Sequence, residues 1–281
     1  MHLKRSVAHN FLSDIRIIVY NVKETCCIMS VMIEGKTAVI TGAGSGIGRE
    51  MALLFNKEGA RLVLVDVVDK TLKETVSLIG SQESVHSITL DLRSPKAAGD
   101  MIAGAIQRFG KIDILCNNAG IMDGVMGAAE VSDELWSKVM EVNVNAPFRS
   151  IRAALPYMIS QAHGVILNTA SIAGLFGGRA GVAYTVSKHA LIGLTKHTAS
   201  FYGDHGIRCN AMALGAVATS IGFGSDKPSE TGMRMMQKTF PSMPQPMSPK
   251  DIAKVALFLV SDMSASLNGS VVVADNGWTV Y

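Results

Sequence analysis

The sequence predicts an α/β protein with one doubly wound parallel sheet of about seven strands flanked by helices. Short apolar segments alternate with segments of helical periodicity along most of the chain. The apolar segments are continuous rather than alternating, which indicates strands that are buried on both faces. Glycine is frequent, with 27 residues against 8 prolines, which favours tight turns between many regular elements.

The predicted elements follow one another without a linker from residue 33 to residue 281. Strands are predicted at Thr37–Ile40, Arg61–Asp66, Val85–Leu90, Ile112–Cys116, Val165–Thr169, Ile207–Met212 and Ser270–Ala274. Helices are predicted at Gly46–Lys57, Asp69–Ile79, Pro95–Phe109, residues 132–159 and residues 181–205. We therefore expect a single domain over residues 33–281.

Residues 1–32 are expected to be an N-terminal extension with little fold of its own. Asp14 and Arg16 interrupt its only apolar stretch, so it lacks the unbroken core of a signal peptide. A weak amphipathic targeting helix is the alternative. Three methionines are candidates for the working start, namely Met1, Met29 and Met32.

Composition excludes several classes of protein. Hydrophobic residues make up 48% and charged residues 17%, which excludes a disordered chain. A net charge of +3 is too small to predict nucleic-acid binding. No apolar run approaches about 18 residues, so we expect no membrane span.

Cysteine and histidine spacing predicts neither a disulfide framework nor a metal site. Four scattered thiols indicate a reducing, cytoplasmic protein, with inert core positions for the last two: Cys26, Cys27, Cys116 and Cys209. His189 and His197 lie on one predicted helix but lack further ligands.

A glycine-rich turn, Thr41–Gly48, lies between the first strand and the first helix. Such a turn lets the backbone and the helix N-terminus approach a pyrophosphate, although the pattern alone also fits an ordinary turn. Asp66 ends the second strand, where a carboxylate binds ribose hydroxyls and repels a 2′-phosphate. Since Ser45 and Val67 supply no positive charge, NAD is predicted over NADP.

Tyr184 and Lys188 lie four residues apart on a predicted helix and therefore share a face. An adjacent ammonium favours the phenolate and lowers the pKa of the tyrosine, which suits acid/base chemistry. A solvated helix contact is the alternative for an isolated pair of this kind.

Taken together, the motifs resemble those of the short-chain dehydrogenase/reductase family, over about 250 residues. The order and spacing match at the Thr41–Gly48 turn, Asn117-Asn118-Ala119-Gly120, Asn143, Ser171, Tyr184-x-x-x-Lys188 and the strand at Ile207–Ala211. The resemblance implies a Rossmann-type fold and a nicotinamide cofactor. It also implies a homotetramer or homodimer, packed through the helices at 132–159 and 181–205.

The resemblance implies roles for four catalytic residues. Tyr184 would be the general acid/base, and Lys188 would lower its pKa and bind the nicotinamide ribose. Ser171 would hold the substrate oxygen. Asn143 would hold a water that links Lys188 to solvent.

The resemblance also implies a set of cofactor contacts. These are Gly42, Ser45, Gly46, Ile47, Gly48, Asp66, Asp91, Leu92, Asn118, Ala119, Gly120, Tyr184, Lys188, Gly215, Val217 and Thr219. Asn117 matches a residue that steadies the central strand and lines the cofactor site.

Two positions depart from the family pattern. Leu214 replaces a proline beside the nicotinamide, which could loosen that turn or widen the substrate side. Asn276 replaces a glycine near the C-terminus, and asparagine tolerates left-handed backbone.

The predicted activity is NAD-dependent hydride transfer between nicotinamide and a small secondary alcohol or ketone, including an apolar one such as a hydroxysteroid. A 3-oxoacyl-carrier-protein reductase and a non-catalytic dinucleotide sensor are the alternatives. An enoyl reductase is disfavoured, because that relative places its tyrosine and lysine seven apart. Methionines crowd the expected lid over residues 220–248, where they would contact an apolar substrate or pack a small lid helix: Met233, Met235, Met236, Met243 and Met247.

Overall fold

The computed structural model describes residues 32–81, 83–224 and 228–280. The predicted extension lies outside these ranges except for Met32, whose backbone N–H donates to Glu58 Oε2 at 3.1 Å. Within the described ranges, no helix is both long and apolar enough to cross a bilayer.

Seven parallel strands form one sheet in the order β3-β2-β1-β4-β5-β6-β7, which confirms the predicted fold class. The strands are β1 (Thr37–Thr41), β2 (Arg61–Asp66), β3 (Val85–Thr89), β4 (Ile114–Asn117), β5 (Gly164–Ser171), β6 (Ile207–Leu214) and β7 (Val271–Ala274). The inner strands are buried on both faces, whereas edge strands β3 and β7 are partly exposed.

Helices cover both faces of the sheet. They are α1 (Gly46–Lys57), α2 (Asp69–Ile79), α3 (Ala97–Phe109), α4 (Asp133–Met140), α5 (Ala146–Ser160), α6 (Val182–Tyr202), α7 (Glu230–Met236) and α8 (Pro249–Val260). One apolar core joins the sheet to α1, α2 and α8, and a second joins it to α3, α5 and α6. Cys116 and Cys209 are buried in these cores as expected, and burial raises the pKa of both thiols to about 12.

Helix α8 is absent from the sequence-based prediction. Ser248 caps it by accepting the N–H of Lys250 at 3.3 Å, and Pro249 occupies its first position. Its apolar face is buried against α1. The capping serine and the proline were available as signals, but the proline-rich lid in front of them favoured irregular structure.

The helix predicted at 132–159 is divided by a π-helical turn, Glu141–Asn145, between α4 and α5. The N–H of Ala146 donates to Glu141, five residues earlier instead of four. The extra residue directs Asn143 inwards, where it is only 1% exposed. The turn therefore places one candidate site residue.

The strand order reverses between β1 and β4, because β1 pairs with β2 on one side and β4 on the other. The chain leaves these two strands in opposite directions, which opens a crevice at their carboxyl ends. The Asn276 turn beyond β7 has φ +54°, which confirms the expected left-handed backbone.

Phe55 tests the packing of α1 on α8. Its side chain is 0% exposed in the first core, so Phe55→Ala should lower the free energy of unfolding by about 3–5 kcal/mol. Urea denaturation measures this loss. Leu78→Ala on α2, where the side chain is 61% exposed, is the control and should have a much smaller effect. Equal losses in both variants would contradict the packing described here.

Candidate active site

A cavity of about 570 Å³ lies at the carboxyl ends of the strands. Sequence-predicted positions supply much of its wall, namely Gly42, Ser45, Gly46, Ile47, Asp66, Asp91, Leu92, Asn118, Ala119, Gly120, Ser171, Tyr184, Lys188, Gly215, Val217 and Thr219. Gly48 and Asn143 are not among the lining residues. Residues far apart in the chain thus meet around one space.

The glycine-rich turn forms one wall by close backbone packing. A Cβ on Gly42, which has φ +69°, would lie 3.0 Å from the Cα of Ala119. A Cβ on Gly48 would lie 2.0 Å from the carbonyl oxygen of Gly42. Gly48 therefore lets α1 approach the turn, and it does not itself line the cavity.

The loop after β4 forms the opposite wall and is tied to β1. The hydroxyl of Thr41 accepts the N–H groups of Asn118 and Ala119 at 3.0 and 3.1 Å. The side chain of Asn117 is buried and donates to Asn168 Oδ1 at 2.9 Å. The prediction that Asn117 steadies the central strand fits this contact, but Asn118 and not Asn117 lines the cavity.

Charged side chains lie at the far end of the cavity. Asp66 Oδ2 accepts the N–H of Gly44 at 2.8 Å, and Oδ1 accepts that of Val68 at 2.9 Å. Each carboxylate oxygen retains room for a further donor. Arg93 also lines the cavity, but its guanidinium binds both carboxylate oxygens of Asp91.

Lys188 is buried, with 3% of its surface exposed. Its ammonium donates to the carbonyl oxygen of Thr169 at 2.7 Å. Burial disfavours the charged form and lowers the pKa of Lys188 to about 8. The lysine is therefore charged at neutral pH and titrates a little above it.

Tyr184 lies beside this lysine, with the ammonium nitrogen 5.3 Å from the ring centroid. Burial raises the pKa of Tyr184 to about 12, a hydrogen bond with Ser171 opposes that rise, and the charge of Asp123 adds to it. For Tyr184, the rise in pKa caused by burial thus outweighs the lowering that the spacing to Lys188 predicts.

Ser171 is the last residue of β5 and begins a short 3₁₀ turn, Ile172–Gly174. Its hydroxyl accepts the N–H of Ala173 at 3.1 Å and donates to the carbonyl oxygen of Leu214 at 3.3 Å. These contacts hold the hydroxyl at the cavity wall beside Tyr184. The acceptor at the end of β6 is the backbone carbonyl of Leu214, which the family's proline would also supply.

Asn143 lies behind the wall, where its amide joins three elements. Its Nδ2 donates to Ile121 O and Ser187 Oγ, both at 3.0 Å, and its Oδ1 accepts the N–H of Ile121 at 2.9 Å. The hydroxyl of Ser187 in turn donates to the carbonyl oxygen of Tyr184 at 2.7 Å. Asn143 therefore holds the catalytic helix to the loop after β4.

The methionines of the expected lid lie away from the large cavity. Met236 is buried, Met247 packs on the first core, and Met235 is largely exposed. Ile221, from the same segment, lines the cavity instead. Of the two alternatives for these methionines, packing of the lid fits the structure better.

Sequence reasoning missed two residues beside the tyrosine and lysine. Thr169 acts through its backbone, so no side-chain motif marks it. Asp123 is fully buried and binds the N–H of Tyr184 at 2.9 Å. A lone acidic residue in an apolar loop was the available signal, but nothing in the sequence shows what it contacts.

The cavity fits a dinucleotide. Its glycine turn leaves no room for a Cβ and opens onto the N-terminus of α1, where phosphate binds well. Asp66 lines the cavity at the end of β2, and Lys188 and Tyr184 line it near the end of β5, which lies three strands away. No observation at the described residues conflicts with a nicotinamide dinucleotide in this space.

Comparison with known proteins agrees with this geometry. A family model described as enoyl-(acyl carrier protein) reductase matches residues 42–279. A 3beta-hydroxysteroid dehydrogenase 2 of Eggerthella lenta is 39% identical over 254 residues, covering 89% of this chain and 97% of that protein. The chain belongs to the short-chain dehydrogenase/reductase family.

Further relatives support the assignment of this short-chain dehydrogenase/reductase. A cyclohexanol dehydrogenase of Acinetobacter is 36% identical, covering 90% of this chain and 98% of that protein. The crystal structure of levodione reductase superposes with a TM-score of 0.80 at 30% identity, covering 89% of this chain and 100% of that one. The chain is an oxidoreductase that acts on a CH–OH group and uses a nicotinamide cofactor.

The buried ammonium of Lys188 predicts a pH-dependent stability. The folded pKa, about 8, lies below the ordinary value of 10.5, so between these values the unfolded chain binds the proton more strongly. The contribution of Lys188 to the free energy of unfolding is therefore lowest below pH 8 and rises between about pH 8 and pH 10.5. Relative to Lys188→Met, the cofactor-free wild type should gain on the order of 3 kcal/mol across it.

Urea denaturation of both proteins at about pH 7 and about pH 10 measures the change. Lys196→Met, at an exposed position on the same helix, is the control and should differ from wild type by nearly the same amount at both pH values. A Lys188→Met difference that is independent of pH would contradict the prediction.

Proposed function

We propose that the protein is an NAD-dependent dehydrogenase or ketone reductase that interconverts a secondary alcohol and a ketone. The observation that carries this proposal is the meeting of Ser171, Tyr184 and Lys188 at one end of the cavity, with Asp66 at the other. The first three supply proton transfer and oxygen binding. The fourth supplies recognition of the adenosine ribose.

The protein's own residues perform the proton chemistry. When bound, the nicotinamide accepts or supplies a hydride. The Tyr184 hydroxyl donates a proton to the carbonyl oxygen during reduction, or takes it from the alcohol during oxidation. The Ser171 hydroxyl, which donates to the carbonyl oxygen of Leu214 in the structure, turns to donate to the same oxygen and stabilises its developing charge. The Lys188 ammonium would hold the nicotinamide ribose and favours the phenolate, and Asn143 fixes the helix that carries Tyr184 and Lys188.

An apolar cyclic alcohol, such as a 3β-hydroxysteroid, is the substrate class we favour. The cavity lining includes the apolar side chains of Ile121, Met122, Leu214 and Ile221. Apolar walls with a few polar groups bind small apolar ligands in a fixed orientation. The names of the hydroxysteroid and cyclohexanol relatives point to the same class.

Three alternatives remain distinguishable. A 3-oxoacyl-carrier-protein reductase would act on acyl thioesters, mostly with NADPH, which the Asp66 carboxylate disfavours. A non-catalytic sensor would bind dinucleotide without turnover, yet both Tyr184 and Lys188 are present. The family model's description also names an enoyl reductase, and the four-residue spacing of that pair argues against this reaction.

We further propose a cytoplasmic homotetramer or homodimer. Large apolar side chains are exposed on α5 and α6, the two helices predicted to pack between subunits: Phe148, Tyr157, Val186 and Phe201. Exposed apolar surface of this kind is typical of subunit contacts. Sedimentation would test the assembly, and a monomeric mass would contradict it.

The tyrosine tests the catalytic assignment. Tyr184→Phe should lower kcat by roughly 10²–10⁴-fold, because the phenyl ring cannot transfer the proton. NADH fluorescence should show unchanged cofactor binding. The assay follows NADH loss with a 3-oxosteroid and with cyclohexanone. Tyr157→Phe, on the exposed side of α5, is the matched control and should retain full turnover. Retained turnover in Tyr184→Phe would refute the mechanism.

Asp66 tests the choice of cofactor. Its charge should make kcat/KM with NADPH at least roughly tenfold lower than with NADH, because a 2′-phosphate would lie close to the carboxylate. Asp66→Asn removes the charge and keeps the size of the side chain. The kcat/KM values with NADH and with NADPH should therefore become more similar. Asp69→Asn, which removes an exposed carboxylate outside the cavity, should leave it unchanged. Equal use of both cofactors by the wild type would contradict the NAD assignment.

A further inference from the structure

We propose that Asp123 is a positioning residue for Tyr184: from the loop after β4 it caps the helix that carries the tyrosine and joins that helix to the lid. The lid here denotes the described residues 220–224 and 228–248. The proposal rests on the function proposed above, because it assigns a role within the same site.

The catalytic helix α6 has no cap of its own. Gly181 occupies the capping position and has no side chain that could accept a hydrogen bond. Asp123 Oδ2 instead accepts the N–H of Tyr184 at 2.9 Å. Tyr184 is the third residue of the helix, and a cap side chain ordinarily binds the N–H at this position. Asp123 thus supplies the missing cap from a distant part of the chain.

The glycine at position 181 makes room for this carboxylate. A Cβ there would lie 2.4 Å from Oδ1 of Asp123 and 2.5 Å from Oδ2. The φ angle of Gly181 is −74°, which any residue can adopt. Glycine is therefore required at this position for space and not for backbone conformation. A side chain at 181 and the side chain of Asp123 would occupy the same volume.

Asp123 also holds a strained turn. Gly124 and Val125 have φ +68° and +59°, and a β-branched residue in the left-handed region is strained. Oδ1 of Asp123 accepts the N–H of Val125 at 3.2 Å, which stabilises the turn locally. Strain of this kind persists only where surrounding contacts maintain it.

The same turn contacts both the lid and the catalytic helix. The N–H of Gly124 donates to Phe223 at 2.7 Å, and its carbonyl oxygen accepts the N–H of Ser229 at 2.8 Å. The N–H of Val182, the first residue of α6, donates to Met126 at 2.9 Å. A change in the turn therefore reaches the lid and the start of α6 together.

Asp123 contributes charge as well as position. The groups that face Tyr184 are Lys188 on its own helix, Asp123 from the loop after β4, and the neutral hydroxyl of Ser171 from β5. Burial is the main cause of the raised pKa of Tyr184, and the Asp123 charge raises it further. Removal of the carboxylate should thus make the phenol more acidic as well as displace it.

Moving the helix cap from Asp123 to position 181 separates the effect of the cap's hydrogen bond from the effect of its charge. Asp123→Ala should lower the thermal stability and reduce kcat roughly tenfold or more, because the helix N-terminus loses its acceptor. Adding Gly181→Ser to Asp123→Ala supplies a local neutral cap in the vacated space. Adding Gly181→Asp supplies a charged one. Both double variants should recover most of the lost stability, whereas Gly181→Ala alone, with Asp123 in place, should be strongly destabilised.

The titration of Tyr184 gives a readout that does not need substrate. Full-length protein labelled with 3-fluorotyrosine, which is more acidic than tyrosine, is followed by fluorine NMR without cofactor. The chain has five tyrosines, and Tyr184→Phe assigns the signal. The Tyr184 signal should titrate at lower pH in Asp123→Ala and in its Gly181→Ser double variant than in wild type, and near the wild-type pH in the Gly181→Asp double variant.

Asp113→Asn is the matched control; Asp113 directly precedes β4, whereas Asp123 lies in the loop after it. Asp113 is also buried and accepts a backbone N–H, that of Thr37, at 2.7 Å. This variant should lose stability without moving the Tyr184 titration. An unmoved titration in Asp123→Ala, or no recovery of stability in either double variant, would overturn the proposal. A wild type that turns over no ketone would refute the proposed function alone, since stability and titration remain measurable.

Discussion

The site depends on one hydrogen bond between a helix and the sheet, from the ammonium of Lys188 to the carbonyl oxygen of Thr169. The bond draws α6 against the end of β5, which brings Tyr184 beside Ser171. An ammonium with 3% exposure is unfavourable in an ordinary core, because its charge loses hydration there. The pKa of Lys188 is lowered because of this loss of hydration. Burial of the Lys188 ammonium makes the core less stable, but it fixes a positive charge at the cavity wall.

Most of the fold follows from features that the sequence displays openly. Continuous apolar segments predict the strands, and their alternation with helical periodicity predicts a parallel sheet. In such a sheet every carboxyl end lies at one edge, so motifs that follow different strands must meet. This is why Asp66, Asn118 and Ser171, which come from three strands, line a single cavity. Motif spacing was sufficient to predict these residues, because the parallel topology brings the ends of the strands together.

The features that escaped prediction depend on exact backbone geometry and on burial, which residue spacing does not report. Gly48 has the same glycine spacing as its neighbours, yet it faces the backbone of Gly42 and not the cavity. The π-helical turn at Asn143 differs from an α-helix by one residue of register, which apolar periodicity does not resolve. The raised pKa of Tyr184 depends on burial, and a four-residue spacing to lysine carries no information about burial.

The contact between α1 and α8 has a consequence for synthesis. The buried face of α1 forms within the first sixty residues, but part of its cover comes from residues 249–260. While the ribosome is still making the chain, the face that includes Met51 and Phe55 is incompletely covered for about two hundred residues. At a typical elongation rate this exposure lasts tens of seconds, long enough for chaperones to bind the nascent chain. The segment that completes the protein's first core thus emerges about two hundred residues after α1.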